Sequence, residues 1–306
     1  MNVAYGPERP ATPRGGLLAR YPLTFYFLIT FAFSSFLLMP IALSEVGAGF
    51  LPFEPPQWAG LLAIASLLGP VLAGFVMTAI TEGREGIRRL LHRIVLWRVG
   101  FRWYLFAIFG LPLVMLLGTI IIRPGALESF QPIALLPYLS AFVFMVLIGG
   151  PLFEEPGWSG FALPRLQRLH GPLAGGLILG SLWALWHLPG YLIPSQDPTD
   201  IPPRGTVMDF VVFALALVGL RLVMVWVFNS TRGSVLLAIL VHASWNTFYS
   251  AALIQLFPAP SVLGSYLNLT IAAGTLALVV VVLTRGRLGY QRYRREEDPD
   301  PAAAPT

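Results

Sequence analysis

Across 306 residues, 56% of the side chains are hydrophobic and only 11% are charged, whereas soluble domains carry about a quarter charged. That composition excludes an ordinary soluble fold. The net charge is +5 and all 20 basic residues are arginines; their placement ties the charge to membrane topology and anionic lipid, not to nucleic acid. No cysteine is present, which removes disulfides, thiolate metal sites and a cysteine nucleophile.

Residues 1–20, rich in Pro, Gly and Arg, read as a disordered tail. Eight apolar windows follow, at about 21–44, 57–80, 102–122, 136–163, 173–194, 207–229, 234–256 and 261–284. Each is near the ~20 residues that cross a ~30 Å hydrocarbon core. The first is too long, and too weakly followed by a small-residue cleavage site, for a signal peptide, and reads as an anchor. Between the second and third windows, Arg84, Arg88, Arg89 and Arg93 alternate with Ile87, Leu90, Leu91, Ile94 and Val95. This pattern predicts an amphipathic helix over 84–98, lying along the cytoplasmic interface. Residues 288–306, an arginine run followed by Glu296, Glu297 and Asp298, read as a second disordered tail. The expected fold is all-α and polytopic, one domain over 21–287 with about eight transmembrane helices. If the windows alternate, seventeen arginines share one face, with Arg123 and Arg204 opposite and Arg221 inside a helix. The positive-inside rule then predicts a multi-pass cell-membrane protein with both termini cytoplasmic.

Ionisable groups at a bilayer centre are unfavourable by roughly 2.5–3.5 kcal/mol or more, yet Glu154, Glu155, His187 and His242 all lie in apolar windows, with Asn246 close by. His242 and Asn246 are four residues apart and share a helix face, as do Trp183 and His187. Glu154 and Glu155 project ~100° apart, so one faces a reaction centre and the other a structural partner. At ~1.5 Å per residue, Glu154 is roughly 14 Å deep, His242 roughly 12 Å and His187 roughly 21 Å. Pro156 and Gly157 are expected to distort the helix beside the glutamates. Taken singly, an intramembrane His or Asn is often interhelical glue and a Glu can be a proton relay. Taken together, a carboxylate, two imidazoles and an amide are the parts of a peptide hydrolase.

Three ordered motifs carry a resemblance to a known family. The run Glu154-Glu155-Pro-Gly-Trp-Ser-Gly-Phe-Ala-Leu-Pro-Arg-Leu resembles the first motif of the CAAX-processing and bacteriocin-processing (CPBP, or Abi) intramembrane proteases. Trp183-Ala-Leu-Trp-His187 resembles their Phe-x-x-x-His motif, and His242-Ala-Ser-Trp-Asn246 their His-x-x-x-Asn motif. The likeness covers about 137–250, the expected catalytic core. It implies an endopeptidase acting on membrane-associated peptide or protein substrates, with Glu154 as the base that activates water. It also implies that His187 and His242 hold that water or a divalent metal, with Glu154, His187 and His242 as ligands for an ion such as Zn2+. Asn246 and His242 would steady the oxyanion.

Two positions depart from the pattern: Trp183 replaces Phe, and Ser159 stands where the motif arginine is expected. That arginine would neutralise Glu155 from i+4. Arg221, roughly 12 Å deep, either supplies the missing charge in space by pairing with Glu155 or snorkels to the interface. Two other readings stay open. One is a non-catalytic scaffold or bacteriocin self-immunity protein that has lost activity through Ser159. The other is a proton-coupled transporter, which would be expected to show repeat symmetry between its halves; none is found.

Overall fold

The computed structural model describes residues 16–193, 207–257 and 262–297, and every regular element among them is helical. The tail residues 1–15 and 298–306, and Arg204, lie outside the described residues. In chain order come α1 (Pro22–Leu43), α2 (Ala59–Ser66), α3 (Gly69–Ile94), α4 (Phe101–Ile122), α5 (Tyr138–Leu147), α6 (Pro151–Gly157), α7 (Leu163–Trp186), α8 (Val207–Ser230), α9 (Val235–Thr247), α10 (Val262–Leu283) and α11 (Tyr290–Glu297). All eight apolar windows fall on helix, as their composition requires.

The number of crossings is not fixed at eight. Among the described residues, four helices are long and apolar enough to cross a membrane, or five if α2 and α3, bent by 43°, form one broken span. One of the four, Pro151–Trp186, is 36 residues long but is not straight. Gly171 has φ 78° and ψ 168°, a backbone that a glycine adopts without steric penalty. A Cβ on Gly175 would stand 2.9 Å from the carbonyl carbon of Leu166. In one straight helix those residues would be ~13 Å apart. The chain therefore folds back at Gly171 into a tight helical hairpin, and the glycine at 175 lets its two arms touch.

The window at 136–163 is broken twice, once beside Pro156 and Gly157 as expected and once earlier. The α-helix stops at Leu147, and Gly150, at φ 105°, restarts it at Pro151. Pro156 lies within α6, and the expected distortion follows directly after Gly157 as a π-helical stretch over Trp158–Ala162. The central helix is α8: 56% of its apolar window is buried, against 28–39% in the other three spans. It packs on α7, α9 and α10.

Both ends of the chain also differ from expectation. Leu17–Arg20 is a short helical turn. The arginine run expected to be disordered forms α11, docked through buried Leu288 and Tyr293. Tyr293 stacks near Phe228 and accepts a hydrogen bond from Arg93 at 2.9 Å. Burial pushes its phenol up to about 12, so it stays protonated. Two tyrosines and a leucine outweigh the charge that suggested disorder. The amphipathic expectation holds over 84–94, with Gly86 and Leu90 buried and Arg84, Arg88 and Arg89 exposed, although the helix ends at Ile94, short of 98.

Candidate functional site

The hairpin at Gly171 sets the level of the site. Glu154 on one arm and His187 on the other lie 17 and 16 residues from the turn, hence each roughly 25 Å along its arm. Between them the indole of Trp183 donates from Nε1 to Glu154 Oε2 at 2.8 Å. Its ring packs edge to face on His187 and His242, with centroids 5.4 and 5.0 Å away. The guanidinium carbon of Arg221 lies 4.1 Å from the same ring, a cation–π contact. Sequence reasoning gave Trp183 only an aromatic wall. Its N–H is the polar part, and a buried indole usually finds an acceptor.

The two glutamates have different partners. Glu155 is fully buried. Its Oε2 accepts from Arg221 Nη1 at 2.9 Å, and its Oε1 from Arg221 Nη2 at 3.2 Å and from His242 Nδ1 at 3.0 Å. Ser159 also donates to Oε2 and accepts from Arg221 Nη1 at 3.3 Å. Of the two readings of Arg221, the structure has the pairing and not the snorkelled rotamer: the guanidinium is fully buried. Ser159, where an arginine was expected, threads a hydroxyl between guanidinium and carboxylate. Glu154 retains 3% exposure and accepts only the Trp183 indole among the described residues. Beside it Gly150 is bare of necessity, since a Cβ there would stand 2.7 Å from Glu154 Oε1.

Both imidazoles are oriented by their Nδ1. That of His187 is 2.8 Å from the Trp183 carbonyl and that of His242 meets the Glu155 carboxylate. Each acceptor requires a proton on Nδ1, which makes Nε2 the working nitrogen of both rings. His187 is half-buried at the end of α7, against Phe213 and Trp186. Asn246 is half-buried one turn beyond His242 on α9; no hydrogen bond joins its side chain to the others among the described residues.

No group of three His, Asp or Glu side chains is arranged to hold a metal among the described residues. As folded, Glu154, His187 and His242 are not drawn into such a group: Glu154 Oε2 is held by the Trp183 indole, and both imidazoles pack on that ring. Sequence reasoning also missed Tyr26. It is fully buried on α1, against Trp158 and Phe161, with its hydroxyl over Gly157, where a Cβ would come within 2.7 Å. Nothing in the spacing of the first window distinguishes this tyrosine from its neighbours.

An all-α membrane-spanning bundle with buried Glu, His and Arg on α6, α8 and α9 defines the class of protein. A family model described as type II CAAX prenyl endopeptidase Rce1-like matches residues 136–248, the stretch that holds every one of these groups. A protein named CAAX prenyl protease 2, from Methanococcus maripaludis, is 23% identical over 188 residues, covering 60% of this chain and 69% of its own length. Together with the three motifs, these matches make the chain similar to CAAX prenyl endopeptidases over the stretch that holds the site.

Proposed function

We propose that the protein hydrolyses peptide bonds of membrane-associated peptide or protein substrates with a water activated by Glu154. The supporting observation is the division between adjacent carboxylates. Glu155 is engaged by a guanidinium, a hydroxyl and an imidazole N–H, whereas Glu154 has a single indole donor and an oxygen to offer a water. In the proposed step Glu154 takes a proton from water as the water oxygen attacks the carbonyl carbon. It returns that proton to the leaving nitrogen as the C–N bond breaks, which regenerates the carboxylate. The oxyanion is met by His242, through Nε2–H of its imidazolium form, and by the Asn246 amide. Glu155 and Arg221 are positioning residues that fix the His242 ring, and Arg221 supplies the positive charge that the motif arginine would have brought. That compensation favours an active enzyme over a scaffold disabled by Ser159. Arginines from three clusters meet at one end of the bundle, which supports a multi-pass cell-membrane placement with both termini cytoplasmic.

The test is to incubate purified wild type and Glu154→Ala with a library of membrane peptides and read new termini by mass spectrometry. Cleavage by wild type alone is the expected result. Identical cleavage by Glu154→Ala overturns the assignment of the base.

A further inference from the structure

Apart from the buried site, the bundle contains a cavity of about 950 Å3 whose walls come from α3 on both sides of its kink at Gly83, the first arm of the α7 hairpin, and α11. Arg89, Arg93, Arg165, Arg168 and Arg294 line it, against the single carboxylate of Glu82. Glu82 is already shared, by Arg89 at 2.7 Å and by Arg165. Arg168 and Arg294 are exposed and bond no protein acceptor among the described residues. The lining thus carries five guanidinium groups to one carboxylate.

A second feature of the wall is independent of net charge. Gln167 is 1% exposed and lines the same cavity. Its Oε1 accepts from Asn229 Nδ2 at 2.6 Å, and Asn229 Nδ2 also donates to the Leu288 carbonyl at 2.9 Å. The Leu288 carbonyl can only accept, so the Asn229 amide cannot be flipped; Gln167 must then present oxygen to it and turn its own nitrogen away. That nitrogen is buried and has no partner among the described residues. An orphaned buried donor is unfavourable by about 1–3 kcal/mol, but this nitrogen is closed off from the cavity space, so it belongs to the packing behind the wall and not to the ligand.

We propose that this cavity binds the phosphate-bearing head group of an anionic membrane phospholipid. The volume falls within the ~300–1,000 Å3 of sites for small organic ligands, more than a bare ion fills. Basic pockets between helices at the cytoplasmic membrane surface are suited to such head groups, and the leaflet presents them there continuously. Free phosphate offers the same oxygens, and the experiment separates the two sources.

Full-length protein, delipidated in detergent, is titrated with short-chain phosphatidylglycerol, with phosphatidylcholine of the same chains, and with inorganic phosphate, binding being read by native mass spectrometry. Wild type is expected to prefer phosphatidylglycerol to phosphatidylcholine by at least ~10-fold. Arg168→Ala with Arg294→Ala should weaken phosphatidylglycerol roughly 30-fold and leave phosphatidylcholine unchanged. If the double variant proves unstable, Arg294→Ala alone, on an exposed helix face, should still lose about 5-fold. Equal phosphatidylglycerol binding by wild type and these variants overturns the proposal. So does inorganic phosphate matching the lipid's affinity, or a short peptide displacing the lipid through its free C-terminal carboxylate. The readout is lipid retention, so the result is independent of whether the enzyme cleaves anything.

Discussion

Among the described residues, two arginine–glutamate clusters teach opposite lessons. At the surface, Glu82 holds Arg89 with both side chains substantially exposed, 51% and 33%. In the membrane core, Glu155 holds Arg221 with both at 0%. Exposed pairs contribute little because water and salt screen them and ordering two long side chains opposes the gain. A buried pair contributes little relative to an apolar replacement, yet losing either member leaves a charge with no water to solvate it. The surface cluster is therefore replaceable and free to serve a ligand, whereas the core cluster is an all-or-none unit.

The comparison breaks first, and hardest, at Arg221. Arg221→Ala is expected to destabilise the protein by about 3–5 kcal/mol, because Glu155 loses both guanidinium bonds while remaining in the core; detergent-unfolding titrations measure this. An unchanged midpoint would show that water solvates Glu155 and that the core cluster is not a unit. Adding Ser159→Arg to Arg221→Ala should recover at least half of the loss, since it returns a guanidinium to Glu155 from i+4. Next is the division within the glutamate pair. Glu154→Gln should lower cleavage by on the order of 100-fold or more with little change in unfolding, whereas Glu155→Gln should lower stability as well, because it strands Arg221. A destabilised Glu154→Gln, or a stable and inactive Glu155→Gln, would reverse the assigned roles.

Much of this was legible in the sequence, and the reasons are physical. Hydropathy reports where chain prefers lipid, so all eight windows landed on helix. Depth counted at a fixed rise placed Arg221 level with Glu155, because an intramembrane cation has few counter-ions to choose from. Hydropathy does not report backbone shape: Gly150 and Gly171 look alike in a window average, yet one interrupts a helix beside Glu154 and the other reverses the chain. Nor does it see a group whose role depends on a distant partner. The Trp183 indole, the Gln167 amide and the docking of Tyr293 against Phe228 each need a neighbour that only the fold supplies. Shared depth in three helices likewise does not by itself say how side chains converge: among the described residues no three His, Asp or Glu are grouped to hold an ion.

The smallest expected effect lies on the surface side of the comparison. Arg89 makes exposed contacts to Glu82 at 2.7 Å and to Glu85 at 3.6 Å, and Glu82 keeps Arg165 when Arg89 is gone. Arg89→Ala should therefore destabilise lipid-free protein by no more than about 1 kcal/mol. Even that small loss should shrink as salt rises, since at 1 M the Debye length falls to about 3 Å, comparable to the bond itself. Arg221→Ala should show no such salt dependence, because ions do not reach a fully buried pair. Unfolding midpoints of both variants at low and high salt give the decisive plot. If Arg89→Ala proves as damaging as Arg221→Ala and equally insensitive to salt, then burial is not what separates the clusters, and the cavity arginines are structural supports for the α3–α7–α11 junction and not a site left open for an anion.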